Sequence, residues 1–211
     1  MASKHISLVT ELVSLFVIIP IILTLNIHPF FKLTPVLIGV FYCIYTSIKQ
    51  HFFSSKELLG IKLHKVWKPI IIQIGLFVIG STLLMYFFNN ENLFIVLRKN
   101  WIMWLAITFF YSVFSVYPQE FLYRTFFFKR YSILFKNSSV LIVINALVFS
   151  IVHLAFNNLL VLGLTFIGGI LFAFTYNKSK SLLLTSIEHA FYGSWLFTLG
   201  MGEMLAFPIP N

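Results

Sequence analysis

The chain has 211 residues, 59% of them hydrophobic and only 10% charged, and its six acidic residues are all Glu. A composition this apolar, gathered into runs approaching twenty residues, excludes a water-soluble domain and defines a polytopic membrane protein. The formal charge of +9 does not imply nucleic acid, because the Lys and Arg residues cluster between apolar runs, where they meet anionic lipid headgroups of the bilayer.

The first apolar run, Ile6 to Ile27, is long enough to span a hydrocarbon core of about 30 Å at 1.5 Å per residue, with a kink expected at Pro20. Nothing before Asn26 resembles a signal-peptide cleavage site, so the run is read as a retained first helix. After a turn at His28-Pro29, a second span covers Leu33 to Ile48, extended by Phe52-Phe53. Cys43 lies within it and, as the single cysteine, leaves no internal disulfide and no thiolate metal site. Lys49, Lys56, Lys62, Lys65 and Lys68 follow, opposed only by Glu57. Pro69 suits the first turn of a third span that ends near Phe88. Asn89 to Asn92 interrupt the apolar pattern before a short amphipathic piece ending at Arg98-Lys99. The fourth span begins at Trp101, with Trp104 as its companion in an interfacial aromatic belt, and ends around Pro118.

The segment YPQEFLYRTFFFKR, Tyr117 to Arg130, then places ionisable groups in greasy sequence and reads as a re-entrant or bent extension of the fourth span. Span five covers Ser139 to Phe156, with Asn157-Asn158 at its far end. Span six runs from Leu159 to Tyr176, where Gly163, Gly168 and Gly169 allow close helix approach. Span seven runs from Ser181 to about Gly200, followed by a tail ending in Phe207-Pro208-Ile209-Pro210. The expected fold is thus all-α, a polytopic membrane helix bundle of about seven transmembrane spans in one integral membrane domain over residues 1–211. No internal repeat or low-complexity tract is present. An N-terminus inside puts Lys4, the five lysines of loop 2–3, Lys129, Arg130, Lys136, Lys178 and Lys180 in the cytoplasm, against Lys32, Arg98 and Lys99 outside. Eleven against three sets the expected topology as N-in and C-out.

Ionisable groups at membrane depth are costly and mark functional sites by default. Glu120 and Arg124 are four residues apart and share a helix face, with the acid N-terminal to the base. His153, in FSIVH, and the pair Glu188-His189, preceding AFYG, lie downstream in apolar surroundings. Convergence of Glu120, His153 and His189 would form a water-activating site. In one chemistry Glu120 takes the proton and the imidazoles donate hydrogen bonds to the oxyanion. In another His153 and His189 hold a divalent metal such as Zn, with water completing the sphere. Each residue also has a structural reading. The Glu-Arg pair can be a packing salt bridge, His153 a hydrogen-bonded core histidine, and Glu188, about 100° around the helix from His189, a structural or interfacial group. His5, His28, His51 and His64 fall at loops or ends, and the Phe-rich stripes face lipid or core.

The ordered set QEFLYR, FSIVH and HAFYG resembles the CPBP intramembrane protease family, which includes type II CAAX prenyl endopeptidases and bacteriocin-processing proteins. That family shows E-E-x-x-x-R, F-x-x-x-H and H-x-x-x-N or H-x-x-x-D on successive late membrane helices. The protease-like core is accordingly placed at about 101–200. The resemblance implies an intramembrane endopeptidase acting on a peptide or protein substrate in the membrane, with prenylated CAAX-type substrates among those expected. The expected location is the bacterial inner (cytoplasmic) membrane. By position, Glu120 becomes the water-activating carboxylate, Arg124 its orienting base, and His153 and His189 the groups that support the oxyanion or bind metal. Two positions depart from the pattern. Gln119, an amide that hydrogen-bonds but is no useful base, stands where the first acid of the pair belongs. Gly193 stands where the last motif has Asn or Asp, leaving Tyr192, Ser194 or Glu188 as neighbours to replace that polar side chain. Those departures motivate the alternative of a catalytically impaired homologue acting as membrane scaffold or binding protein. A small transporter using the Glu-His set as a proton relay is a third reading. One geometric demand accompanies the peptidase reading. His153 lies about 21 Å along span five from its basic end and His189 about 12 Å along span seven from its own, so the spans must tilt or start at different depths to meet.

Overall fold

A computed structural model describes residues 2–53 and 66–205; Lys56, Glu57, Lys62, His64 and Lys65 of the basic loop and the terminal Phe207 to Pro210 lie outside the described residues. The described chain is all helical, without strands. Among the described residues six helices are long and apolar enough to cross a bilayer: α1 (Ser3–Thr24), α2 (Pro29–Lys49), α3 (Trp67–Phe88), α5 (Trp101–Leu134), α6 (Ser138–Phe156) and α7 (Leu159–Ser179). Between α3 and α5 sits the short α4 (Ile95–Lys99). The seventh expected span is α8 (Leu182–Thr198), whose 17 residues measure about 25 Å, at the short end of what spans a membrane. Together they make an integral membrane protein.

Several helix starts follow from local chemistry, because a side-chain oxygen satisfies a backbone N–H that the first turn leaves unpaired. Asn100, Asn137, Asn158 and Ser181 accept from the amides of Met103, Ser139, Leu160 and Leu184. Asn158, expected to end span five, instead begins α7. Gly200 ends the last helix with a φ of 91°, which lets the Met201 amide reach back to the Leu196 carbonyl.

Pro118 does not act as the expected stop. α1 passes through a π-helical turn at Ser14–Ile18 just before Pro20, and α5 does the same at Tyr111–Val116 just before Pro118. A proline lacks an N–H and its ring crowds the preceding turn, so a widened turn lets the helix run through it. α5 therefore does not end near Pro118: it continues as one 34-residue helical rod that contains the whole Glu-Arg segment. A further π-helical turn, Phe121–Phe126, lies within that segment. The second span likewise ends at Lys49, with Phe52 and Phe53 outside the helix.

Lipid tails are as apolar as Leu, so association here depends on close packing and interhelical polar contacts more than on burial from water. Of the three glycines of α7, Gly169 is the one that admits a neighbour. A Cβ there would stand 3.0 Å from the Ala146 Cα on α6, whereas Gly163 meets nothing and Gly168 meets only Phe172 of its own helix. At the centre, Phe16, Tyr123, Phe126, Phe127, Tyr131, Phe149, Phe172 and Tyr176 form an aromatic core. Within it, Phe16 presents edge-to-face contacts to Tyr123, Phe127 and Tyr131 at 5.2 to 5.9 Å. Glu11 pins α1 to this core. Its carboxylate accepts from Arg130 Nε and Nη2 (2.8 and 2.6 Å), from Tyr131 (2.9 Å) and from Tyr42 on α2 (2.7 Å). Phe88 and Leu159, 84% and 86% exposed, belong to the outer apolar surface that faces lipid. Trp101 is exposed, but Trp104 turns inward, and its indole N–H donates to Thr198 on α8 (2.9 Å).

Candidate active site

The Glu120 and Arg124 side chains are both 0% exposed. Glu120 Oε2 lies 3.2 Å from Arg124 Nε, one turn along α5. A guanidinium in such surroundings needs further partners. Arg124 Nη1 donates to Asn145 Oδ1 on α6 (2.6 Å), and the Asn145 amide donates to the Tyr123 carbonyl (2.6 Å). Phe149 and Phe172 supply ring faces 4.8 and 5.8 Å from the guanidinium carbon. Arg124 is thereby fixed between α5 and α6 and holds one oxygen of the carboxylate.

The other oxygen, Oε1, meets His189 Nδ1 at 2.8 Å, joining α5 to α8. A carboxylate only accepts, so Nδ1 carries the hydrogen, and in the neutral imidazole the lone pair then sits at Nε2. Nε2 is 3.2 Å from the Tyr111 hydroxyl, which donates to it in that tautomer. The imidazole is clamped by Phe172, stacked at 4.6 Å and 19°, and by the edge of Phe149 at 5.5 Å. Glu120, His189 and Tyr111 thus form a chain of hydrogen bonds in which each member sets the direction of the next.

His153 closes α6 within a 3₁₀ turn, Val152–Phe156. Its Nδ1 donates to the Phe149 carbonyl (2.8 Å), which leaves Nε2 as its free lone pair. The Phe149 ring touches both imidazoles, at 4.9 Å to His153 and 5.5 Å to His189. The different distances of the two histidines along their helices do not keep them apart from one site: both rings pack on Phe149 and both line the same cavity.

A cavity of about 360 Å³ opens over this cluster, of a size that accepts a small ligand or a few residues of extended peptide. Its polar lining comprises Tyr111, Ser115, Gln119, His153, Thr165, His189 and Tyr192. The Gln119 amide donates to Ser115 (2.8 Å). A second cavity, of about 370 Å³ and walled by α1 and α2, meets the first at Gln119, His153 and Phe156. Glu120 lines neither cavity, nor does Arg124. Of adjacent residues on one helix, the amide faces the open space and the acid lies behind His189. Glu188, buried on α8, also lies outside both linings.

The four residues singled out from the sequence are connected in different ways: Glu120 touches Arg124 and His189 directly, and His153 joins them across Phe149. Tyr111 is the member that sequence reasoning missed. It stands 78 positions from His189 within an unremarkable apolar run, with no spacing signal to mark it. The two nitrogens of His189 lie against Glu120 and Tyr111, and among the described residues no group of three or more His, Cys, Asp or Glu is placed to hold an ion.

The fold and this cluster define a class: a helical membrane protein with a carboxylate-backed imidazole facing an internal cavity. Within that class, residues 100–195 match the family of type II CAAX prenyl endopeptidases described as Rce1-like. The matched segment carries Glu120, Arg124, His153, His189 and Gly193, and it is the family to which the three sequence motifs point. No curated protein and no solved structure matches the chain.

Proposed function

We propose that this protein is an endopeptidase of the CAAX-processing type, hydrolysing a peptide bond of a membrane-associated, prenylated substrate inside the bilayer. The observation that carries the reading is the Glu120–His189 contact of 2.8 Å at the floor of a cavity that His153 and Gln119 also line. The Rce1-like match over residues 100–195 supports the reading of a peptidase.

Because Glu120 is shut away behind His189, it acts through the imidazole. Its carboxylate holds the Nδ1–H tautomer, keeps Nε2 basic and stabilises the imidazolium that forms, and Arg124 keeps the carboxylate in place. The Nε2 nitrogen takes a proton from water as the water oxygen attacks the scissile carbonyl carbon. His153 Nε2 accepts a hydrogen bond from the other hydrogen of that water and so orients it. The side-chain amide of Gln119 donates to the carbonyl oxygen as it becomes an oxyanion. Collapse of the tetrahedral intermediate breaks the C–N bond, and the imidazolium returns its proton to the departing amine. No metal is needed for these transfers.

The test is cleavage of a farnesylated peptide ending in a CAAX sequence by purified protein in proteoliposomes. Turnover that disappears in His189→Ala and His153→Ala supports the reading. Absence of cleavage by the unaltered protein on prenylated and unprenylated membrane peptides alike would overturn it.

A further inference from the structure

Gly193 lies one turn after His189 on α8, where a polar side chain would complete the last motif. The space that side chain would need is already filled. A Cβ built on Gly193 would fall on the Tyr111 hydroxyl and the ring carbons beside it. The phenol reaches across from the π-helical turn of α5, packs edge-on against Phe197 at 4.9 Å, and places its hydroxyl on His189 Nε2. Gly193 and Tyr111 therefore share one volume, and only one of them can put a side chain there.

We propose that Tyr111 is a catalytic residue that replaces the polar group absent at Gly193 and donates to the oxyanion during peptide hydrolysis; this rests on the endopeptidase reading above. The logic follows from one proton. In the resting site the Tyr111 O–H donates to the Nε2 lone pair. As the scissile carbonyl arrives, rotation about the phenolic C–O bond turns that hydrogen to the carbonyl oxygen, which frees the single Nε2 lone pair to take the proton from water; the carbonyl oxygen gains its charge in the same step. When the C–N bond breaks and the imidazolium returns its proton to the amine, Nε2 again accepts from Tyr111. The phenol is never ionised, and no oxidant, reductant or further reactant enters. The same donor thus stabilises the resting base and the charge that the base creates.

Tyr111→Phe keeps the ring and removes only the hydroxyl. The expected result is a fall in kcat on the order of 10²–10³, with KM little changed, as for loss of one oxyanion donor. Gly193→Asn alone should lower the melting temperature, because its Cβ meets the phenol. The pair Tyr111→Ala and Gly193→Asn should recover that loss and raise kcat at least about tenfold over Tyr111→Ala, a gain within the worth of one regained donor. A readout independent of turnover is the ¹⁵N resonance of His189 Nε2 in detergent micelles, assigned with His189→Gln. It should move downfield in Tyr111→Phe as an accepted hydrogen bond is lost. An unmoved resonance overturns the pairing, and a moved resonance with unchanged kcat overturns the oxyanion step. If the unaltered protein cleaves nothing, the endopeptidase reading and the oxyanion step fail together. The resonance and the 111/193 stability exchange still decide whether Tyr111 occupies the place of the absent side chain.

Discussion

Replacing Glu120 by Gln changes one atom in the centre of the cluster and separates its charge from its shape. At 3.2 Å from Arg124, the lost attraction is about 5 kcal/mol with an effective dielectric near 20. Removing one partner of a buried pair leaves the other uncompensated, at a net cost of about 3–5 kcal/mol. Asn145, Phe149 and Phe172 still surround the guanidinium, so the lower end of that range is expected. The effect on chemistry is larger. A Gln amide can offer its NH₂ to His189 as readily as its oxygen, which stabilises the tautomer with hydrogen on Nε2 and removes the base. The equivalent loss of a carboxylate behind a catalytic imidazole lowers kcat by about 10⁴. The assay is kcat on a fluorogenic prenylated peptide in proteoliposomes, with thermal unfolding followed on the same preparations. Glu120→Asp, which keeps the charge on a shorter side chain, should regain part of both losses. Turnover of Glu120→Gln within twofold of the unaltered protein would refute the argument that the carboxylate sets the His189 tautomer.

Other consequences follow from neighbouring residues. Gln119→Glu removes the amide donor and sets a negative charge beside the developing oxyanion, so turnover should fall by about 10²–10³, as for loss of one oxyanion donor; an unchanged or raised rate would mean that the Gln119 amide takes no part in stabilising the oxyanion. Glu11→Gln should cost about 1.5–3 kcal/mol of stability, the worth of hydrogen bonds to a charged group, while leaving kcat unchanged, measured by thermal unfolding beside the peptide assay. Gly169→Val should destabilise by about 1–3 kcal/mol by forcing α6 and α7 apart at Ala146, whereas Gly163→Val, in open space, should cost far less.

The helices were largely legible from apolar runs because each must satisfy its own backbone within lipid, and that demand is local. The fate of Pro118 was not. A proline after α-helical residues ordinarily signals an end, but the π-helical turn at Tyr111–Val116 lets the chain pass, and such a turn depends on what packs around it. The Glu120–Arg124 contact followed from i,i+4 spacing alone. Which of Gln119 and Glu120 faces the cavity did not, since adjacent residues differ by about 100° around the helix and only the positions of α7 and α8 say where the open side lies. Tyr111 was invisible for a related reason. Its meaning comes from the emptiness of Gly193, on the neighbouring helix α8 but 82 residues away in number, with no local pattern linking them.

The most direct test of hydrolysis driven by the Glu120–His189 pair is mass spectrometry of the cleaved peptide after reaction in H₂¹⁸O. The unaltered protein should yield a product whose new C-terminal carboxylate carries one ¹⁸O, and His189→Ala should yield no cleaved peptide. Cleavage by His189→Ala at the unaltered rate, or a product without ¹⁸O, would contradict the account.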